Sequence, residues 1–124
     1  MILILGGAWQ GKLELAKREF GLREEDVFDC SGPEIDFCRR CIRHLEDFTL
    51  ACAGEGLDPV DYFERHAEDW RDSVLICRDV FCGVVPTDPL MRLWRNETAR
   101  LCKYLADRAE RVSRVFCGLE QRLK

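Results

Sequence analysis

The opening run Ile2-Leu3-Ile4-Leu5, followed by Gly6-Gly7-Ala8-Trp9-Gln10-Gly11-Lys12-Leu13, constrains this chain more than any other stretch. A short apolar run without polar alternation suits a strand buried on both faces, as in a parallel sheet. Gly6 and Gly7 end it. From Lys12 to Phe20 the apolar residues Leu13, Leu15, Ala16 and Phe20 return near helical spacing, and Gly21 is a natural C-terminal stop. Strand, glycine loop and helix in this order give the pattern G-x-x-x-x-G-K the context it requires. In that context the glycines let the backbone curl so that successive N–H groups cradle an anion. The helix N-terminus adds positive potential, and Lys12 reaches the outer phosphates. The side chains of Ala8, Trp9 and Gln10 are not needed for the cradle. The final position takes Ser or Thr, whose hydroxyl holds magnesium, and Leu13 has no such oxygen. Phosphate binding by residues 6–13 is therefore expected, with a damaged metal position. A tight turn carrying a solvated lysine is the other reading.

The remaining pattern alternates between strand-like and helix-like segments. Asp26–Cys30 reads as a second strand. Ser31-Gly32-Pro33 predicts the start of a long helix, with Ile35, Cys38, Ile42, Leu45 and Cys52 as one apolar stripe and Gly54 and Gly56 as its stop. Asp58-Pro59 has the N-cap and first-turn signature of another helix, running to about Trp70. Ser73–Cys77 is the third strand. Asp88-Pro89 caps a last helix to about Glu110, with Leu90, Leu93, Trp94, Leu101 and Leu105 inward, and Val112–Cys117 is the fourth strand before a tail at Gly118. Strands separated by helices imply parallel pairing with right-handed crossovers. The expected fold is α/β, of the three-layer P-loop nucleotide-binding type. It has a small, mostly parallel sheet of about four strands with helices on both faces, in one domain over residues 1–124. The ligand crevice of such a sheet lies at the carboxyl ends of its strands, where the loops after Leu5, Cys30, Asp79 and Cys117 should converge.

Composition narrows the classes. With 47% hydrophobic and 34% charged residues, the 124-residue chain is globular rather than disordered. Residues 1–88 carry 10 basic and 19 acidic side chains, whereas residues 89–124 carry 9 and 4. The net charge of −4 argues against a nucleic-acid partner. The basic third reads as an arginine-rich helix face, in which Arg92, Arg95 and Arg100 contact phosphate, contact a partner subunit, or snorkel over the core. No apolar run is long enough for a membrane span. Met1 leads into the apolar run without a basic segment, so no signal peptide is expected and the localisation is read as cytoplasmic. The eight cysteines sit largely in apolar runs and read as small buried hydrophobes. Cys38-Arg39-Arg40-Cys41 alone has ligand-like spacing, against the alternative of a packed helix face.

The segment Ile2–Ala8 with Gly11-Lys12 resembles the bifunctional adenosylcobinamide kinase/adenosylcobinamide-phosphate guanylyltransferase family, which begins with a strand and G-G-x-R-S-G-K-S. The family's later signature, N-E-V-G-x-G-I-V-P followed by a basic helix, is similar to Arg78-Asp79-Val80-Phe81-Cys82-Gly83-Val84-Val85-Pro86. The following helix is similar too, at Leu90, Arg92, Trp94-Arg95, Arg100 and Leu105-Ala106, as are Val115–Leu119 and Leu123-Lys124. The resemblance covers residues 1–20 and 73–124. It implies a nucleotide-binding α/β enzyme of cobalamin synthesis that forms homo-oligomers and uses GTP or ATP with magnesium. Such an enzyme phosphorylates the aminopropanol arm of a corrinoid, then transfers a guanylyl group through a histidine-linked intermediate.

By position, the resemblance implies that Gly6, Gly7, Gly11 and Lys12 hold the phosphates. Asp79, in place of the signature glutamate, would hold magnesium directly or through water. His44, in Ile42-Arg43-His44, is the nearest candidate for the guanylylated histidine, against a solvated helix histidine as the other reading; His66 is a weaker candidate. The chain departs from the family pattern at Trp9-Gln10 for Arg-Ser, Leu13 for the hydroxyl, Arg78-Asp79 for Asn-Glu and Phe81 for a glycine. Residues 21–72 are shorter than in the family. These departures leave a second functional reading, a catalytically degenerate paralogue acting as a binding or assembly subunit. An exposed Trp9 would stack on a base or a corrin ring; a buried one would pack on the sheet edge.

Overall fold

The computed structural model describes residues 1–81 and 83–124; Cys82, part of the signature-like segment, lies outside the described residues. The chain runs β1 (Ile2–Gly6), α1 (Lys12–Phe20), a single 3-10 turn (Glu24–Asp26), β2 (Val27–Asp29), β3 (Cys41–Arg43), α2 (Leu45–Glu55), α3 (Pro59–Arg65), β4 (Val74–Arg78), α4 (Pro89–Arg108), β5 (Arg111–Phe116) and β6 (Leu119–Arg122). The strands form one sheet in the order β2-β3-β4-β1-β5-β6, parallel except for the β5–β6 pair. β1 is central, with Gly6 level with Arg78 on one side and Val115 on the other.

Both faces of the sheet are covered, as the unbroken apolar run requires. Successive residues of a strand point to opposite faces. Leu3, Ile42, Leu75, Cys77 and Val112 pack with Phe48 of α2, Phe63 of α3 and Leu101 and Leu105 of α4. Ile4, Cys41, Val74, Ile76 and Val115 pack with Leu15 and Ala16 of α1. The fold is therefore mixed α/β, with a mostly parallel sheet flanked by helices.

Several expectations are corrected. The sheet has six strands rather than four, and no helix runs from residue 33 to 52. Residues 31–40 are irregular because their backbone donors are used elsewhere. Pro33 has no N–H, the Ile35 N–H bonds Tyr62 Oη at 3.0 Å, and the Cys38 N–H bonds Asp36 Oδ1 at 3.0 Å. Cys41-Ile42-Arg43 then pairs with β2 and β4 as a three-residue strand whose composition fits a helix stripe equally well. Gly54 lies inside α2, and Gly56 alone is its left-handed stop. Beyond Gly118 the chain is not a tail. Cys117 (φ 52°) and Gly118 (φ 75°) form a two-residue turn that returns as β6, the geometry favoured for tight hairpins. The α3 and α4 caps are as read: Asp58 accepts the Val60 and Asp61 N–H groups and Asp88 accepts that of Leu90. α3 is shorter than expected and ends at Arg65.

Asp58 also receives Arg100 of α4 at 2.5 Å, so one carboxylate fixes the start of α3 and its neighbour. Asp58→Ala is expected to cost about 1–2 kcal/mol in urea unfolding, with Asn recovering the cap and only part of the total.

Candidate functional site

The carboxyl ends of β1, β3, β4 and β5 meet around a cavity of about 620 Å³. It is lined by Ala8, Trp9, Gln10, Gly11, Lys12, Leu13 and Glu14 after β1, by Arg43, His44 and Glu46 after β3, by Ile76 and Arg78 of β4, and by Cys117 and Gly118. Of the four expected loops, those after Leu5 and Cys117 line the cavity; β4 contributes Ile76 and Arg78 from the strand itself, and the loop after Asp79 does not line it. The loop after Cys30 does not contribute to its lining; the turn after β3 replaces it.

The glycine loop is tied down from both sides. Gly6 leaves no room for a side chain, because a Cβ there would stand 2.5 Å from the Val115 carbonyl oxygen. Its own carbonyl accepts the Asp79 N–H at 2.8 Å. Gln10 clamps the loop to the β5–β6 turn: its side-chain oxygen accepts the Cys117 N–H, and its carbonyl accepts that of Gly118 at 2.9 Å. Gly11 (φ 92°) precedes α1 in the left-handed region, and Trp9 is also left-handed at φ 60°. Trp9 is fully exposed at the cavity rim, which excludes packing on the sheet edge. Leu13 is half-buried against the α1-side core.

Lys12 folds back so that its ammonium donates to the Gly7 carbonyl, turning into the loop rather than out to bulk water. Loss of water on burial lowers its pKa, which the negative field of Glu46 partly restores and Arg78 lowers further. An anion in the cavity would favour the charged lysine.

The turn from β3 to α2 is the feature least visible in the sequence. His44 alone joins strand to helix, in the left-handed region at φ 62° and ψ 44°. A sharp strand-to-helix turn of this kind presents a side chain at the top of a sheet. His44 is therefore not a residue within a solvated helix; its ring lines the cavity. Its Nδ1 lies 3.0 Å from Oε1 of Glu46, whose side chain is only 2% exposed. The other Glu46 oxygen accepts the Arg78 N–H at 2.9 Å. Burial works most strongly against ionisation of Glu46, but these donors outweigh it and hold its carboxyl below the usual range. The Glu46 carbonyl is bonded by Trp94 Nε1 at 2.7 Å and Thr49 Oγ1 at 3.0 Å, which locks its backbone to α4 and α2. His44, Glu46 and Asp47 bring potential metal-ligand atoms within 4.8 Å of one another, yet both Glu46 oxygens are already engaged.

The other candidates fall away from the cavity lining. Asp79 Oδ1 accepts the Phe81 N–H at 2.9 Å, and its carboxylate is not among the lining groups. Arg95 binds the carbonyls of Phe81, Gly83 and Val84, and Arg100 binds Glu97 and Asp58. Both stabilise the fold around the signature-like loop. His66 pairs with Asp69 at 3.0 Å and stacks near Phe37 and Tyr62. Cys38 is exposed, whereas Cys41 is buried in the sheet with its thiol pushed up to about 12 by loss of water. A buried thiol held protonated does not suit metal or redox use.

The fold and this geometry define an α/β protein with a glycine loop and a basic cavity at the carboxyl end of its central strand. Residues 58–123 match the family described as cobinamide kinase / cobinamide phosphate guanyltransferase. The match spans just over half of the chain, and the chain belongs to that family. It covers α3, β4, α4, β5 and β6; the glycine loop and His44 lie outside it. No curated protein matches the chain.

Two outcomes follow from the geometry. Gly6→Ala forces a methyl against a central-strand carbonyl and is expected to cost about 1–3 kcal/mol in urea unfolding. Glu46 ionises more readily in the folded state. Its contribution is therefore present above its unfolded pKa of about 4.3 and lost as pH falls through its folded value. Glu46→Gln should consequently flatten the acid limb of a stability-against-pH curve.

Proposed function

We propose that the cavity binds a nucleoside triphosphate, GTP or ATP, with its phosphates on residues 6–13, and that the chain is a cobinamide kinase-like phosphotransferase of cobalamin synthesis. The observation that carries this reading is the inward Lys12 ammonium, half-buried in a glycine loop anchored to β4 and β5. Lys12 would leave the Gly7 carbonyl for a phosphate oxygen, recovering the charge stabilisation that burial removes. The α1 N-terminus and Arg78 add positive potential where charge spreads during phosphoryl transfer. The acceptor would be the aminopropanol hydroxyl of a corrinoid, entering over Trp9 at the rim. Family membership supports this acceptor and a homo-oligomeric state.

Magnesium characteristically keeps several waters and binds through one or two carboxylates plus substrate phosphates. Leu13 offers no oxygen, and the Asp79 carboxylate lies off the cavity lining with one oxygen on the Phe81 N–H, so Asp79 would reach the ion only through its water shell. When bound, the ion would neutralise phosphate charge; Asp79 would orient its water shell.

The His44 turn supports the second family activity, guanylyl transfer through histidine, more than the spacing of the sequence does. Leu13 favours a different outcome, a degenerate paralogue that binds nucleotide without turnover and serves as an assembly subunit. Calorimetric titration with GTP and ATP, with and without magnesium, followed by assay with adenosylcobinamide, separates them. Micromolar to submillimolar binding is expected. Lys12→Ala should weaken it about tenfold or more through the lost charge-assisted bond. Asp79→Asn should remove the gain due to magnesium and leave metal-free binding intact. Absence of binding at millimolar nucleotide would overturn the reading, and binding without phosphorylation would favour the paralogue.

A further inference from the structure

We infer that Glu46 is the positioning residue of His44, fixing the imidazole as its Nδ1–H tautomer so that Nε2 is the lone-pair nitrogen in the cavity. The inference deepens the proposed nucleotide reading and rests on it for its chemistry. Three observations carry it. The carboxylate is almost completely buried, yet neither oxygen is idle: one meets His44 Nδ1 and the other the Arg78 N–H of β4. An ionised carboxylate only accepts hydrogen bonds, so the nitrogen facing it must carry the proton. The backbone on both sides is immobilised, by the left-handed turn at His44 and by the Trp94 and Thr49 bonds to the Glu46 carbonyl.

His66 provides an internal comparison. It also meets a carboxylate through Nδ1 at 3.0 Å, but that carboxylate, on Asp69, is more than half exposed. Both rings are partly exposed, so the difference lies in the carboxylates: water competes for that of Asp69 and is kept from that of Glu46. The chain spends a buried carboxylate on holding one imidazole, and that imidazole lies within the basic cavity.

The consequence is chemical. For transfer of a nucleotidyl group, Nε2 attacks the α-phosphorus of the triphosphate. The Nε2–P bond forms as the bond to the bridging oxygen breaks, and pyrophosphate leaves with that electron pair. No proton leaves the ring, so positive charge develops on the imidazole, opposite the Glu46 carboxylate. An acceptor phosphate oxygen then attacks the same phosphorus, and the electron pair returns to Nε2. The opposite tautomer has no lone pair at Nε2 and cannot begin this sequence.

The chain has two histidines, so the test is direct. Long-range proton–nitrogen correlation of the full ¹⁵N-labelled chain, above the imidazole titration, should show His44 protonated at Nδ1 and bare at Nε2. In Glu46→Gln the amide can donate to the ring, and the His44 signals should move toward the Nε2–H form while those of His66 stay. Carbethoxylation of His44 by diethyl pyrocarbonate, counted by peptide mass against His66, should fall about tenfold or more in that variant. Cys52→Ala, which trims the same buried face of α2 away from the His44–Glu46 pair, should leave the tautomer unchanged. An Nε2–H form in the unaltered chain overturns the inference whether or not the variant folds. So does an unchanged tautomer in folded Glu46→Gln. Incubation of the unaltered chain with α-labelled GTP separates the two proposals: no label on His44 with the Nδ1–H form intact overturns guanylyl transfer while the role of Glu46 in setting the tautomer stands.

Discussion

Parallel pairing of β1 with both β4 and β5 is the constraint on which the rest of the structure depends. With a parallel neighbour on each side, and with Leu3 buried toward one helical layer and Ile4 toward the other, β1 is an interior strand. Parallel neighbours bring their carboxyl ends to the same edge, so the glycine loop, Arg78 and the Cys117-Gly118 turn meet there. β1 is also where the strand order reverses: the chain builds outward to β2, returns through β3 and β4, then crosses to β5 on the other side. Such a switch point opens a crevice. The absence of a Cβ at Gly6 is part of the same requirement, since the loop begins in contact with a neighbouring carbonyl.

Charge in the crevice is arranged around one buried acid. Glu46 meets His44 and the backbone of β4, and its field acts on Lys12, which burial has partly desolvated. Lys12, Arg43 and Arg78 outnumber Glu14 and Glu46 in the cavity lining although the chain is net acidic, so overall charge is a poor guide to what the site attracts. The arginines of α4 that look most like phosphate ligands are instead spent on structure. Arg95 holds the carbonyls of the loop after β4, and Arg100 joins α4 to the α3 cap. Their long side chains gain more from several fixed local acceptors than the sequence pattern suggests.

The opening strand–loop–helix was legible because each part carries its own local signal: an unbroken apolar run, obligatory glycines and a helical period. The caps at Asp58 and Asp88 were legible for the same reason. β3 and β6 were not. Cys41-Ile42-Arg43 is too short to show a period, and its apolar residues coincide with the stripe of an imagined helix. β6 is exposed along its length and has no alternation to betray it. Its turn uses Cys117 at positive φ, where Asn or Asp would have announced a hairpin.

By itself the sequence determined the layer architecture, the burial of the opening strand on both faces and the position of the glycine turn, because these follow from residue-by-residue apolar and glycine requirements. Only the tertiary structure decided that residues 31–40 abandon helix, since the donors involved are captured by Tyr62 and Asp36. It likewise decided that His44 faces the cavity. That placement needs β3 to pair between β2 and β4, and it needs the Glu46 carboxylate to find the Arg78 N–H, 32 residues away along the chain. Contacts between distant segments leave no period or spacing in a single sequence, so this part of the site emerges only when the sheet closes.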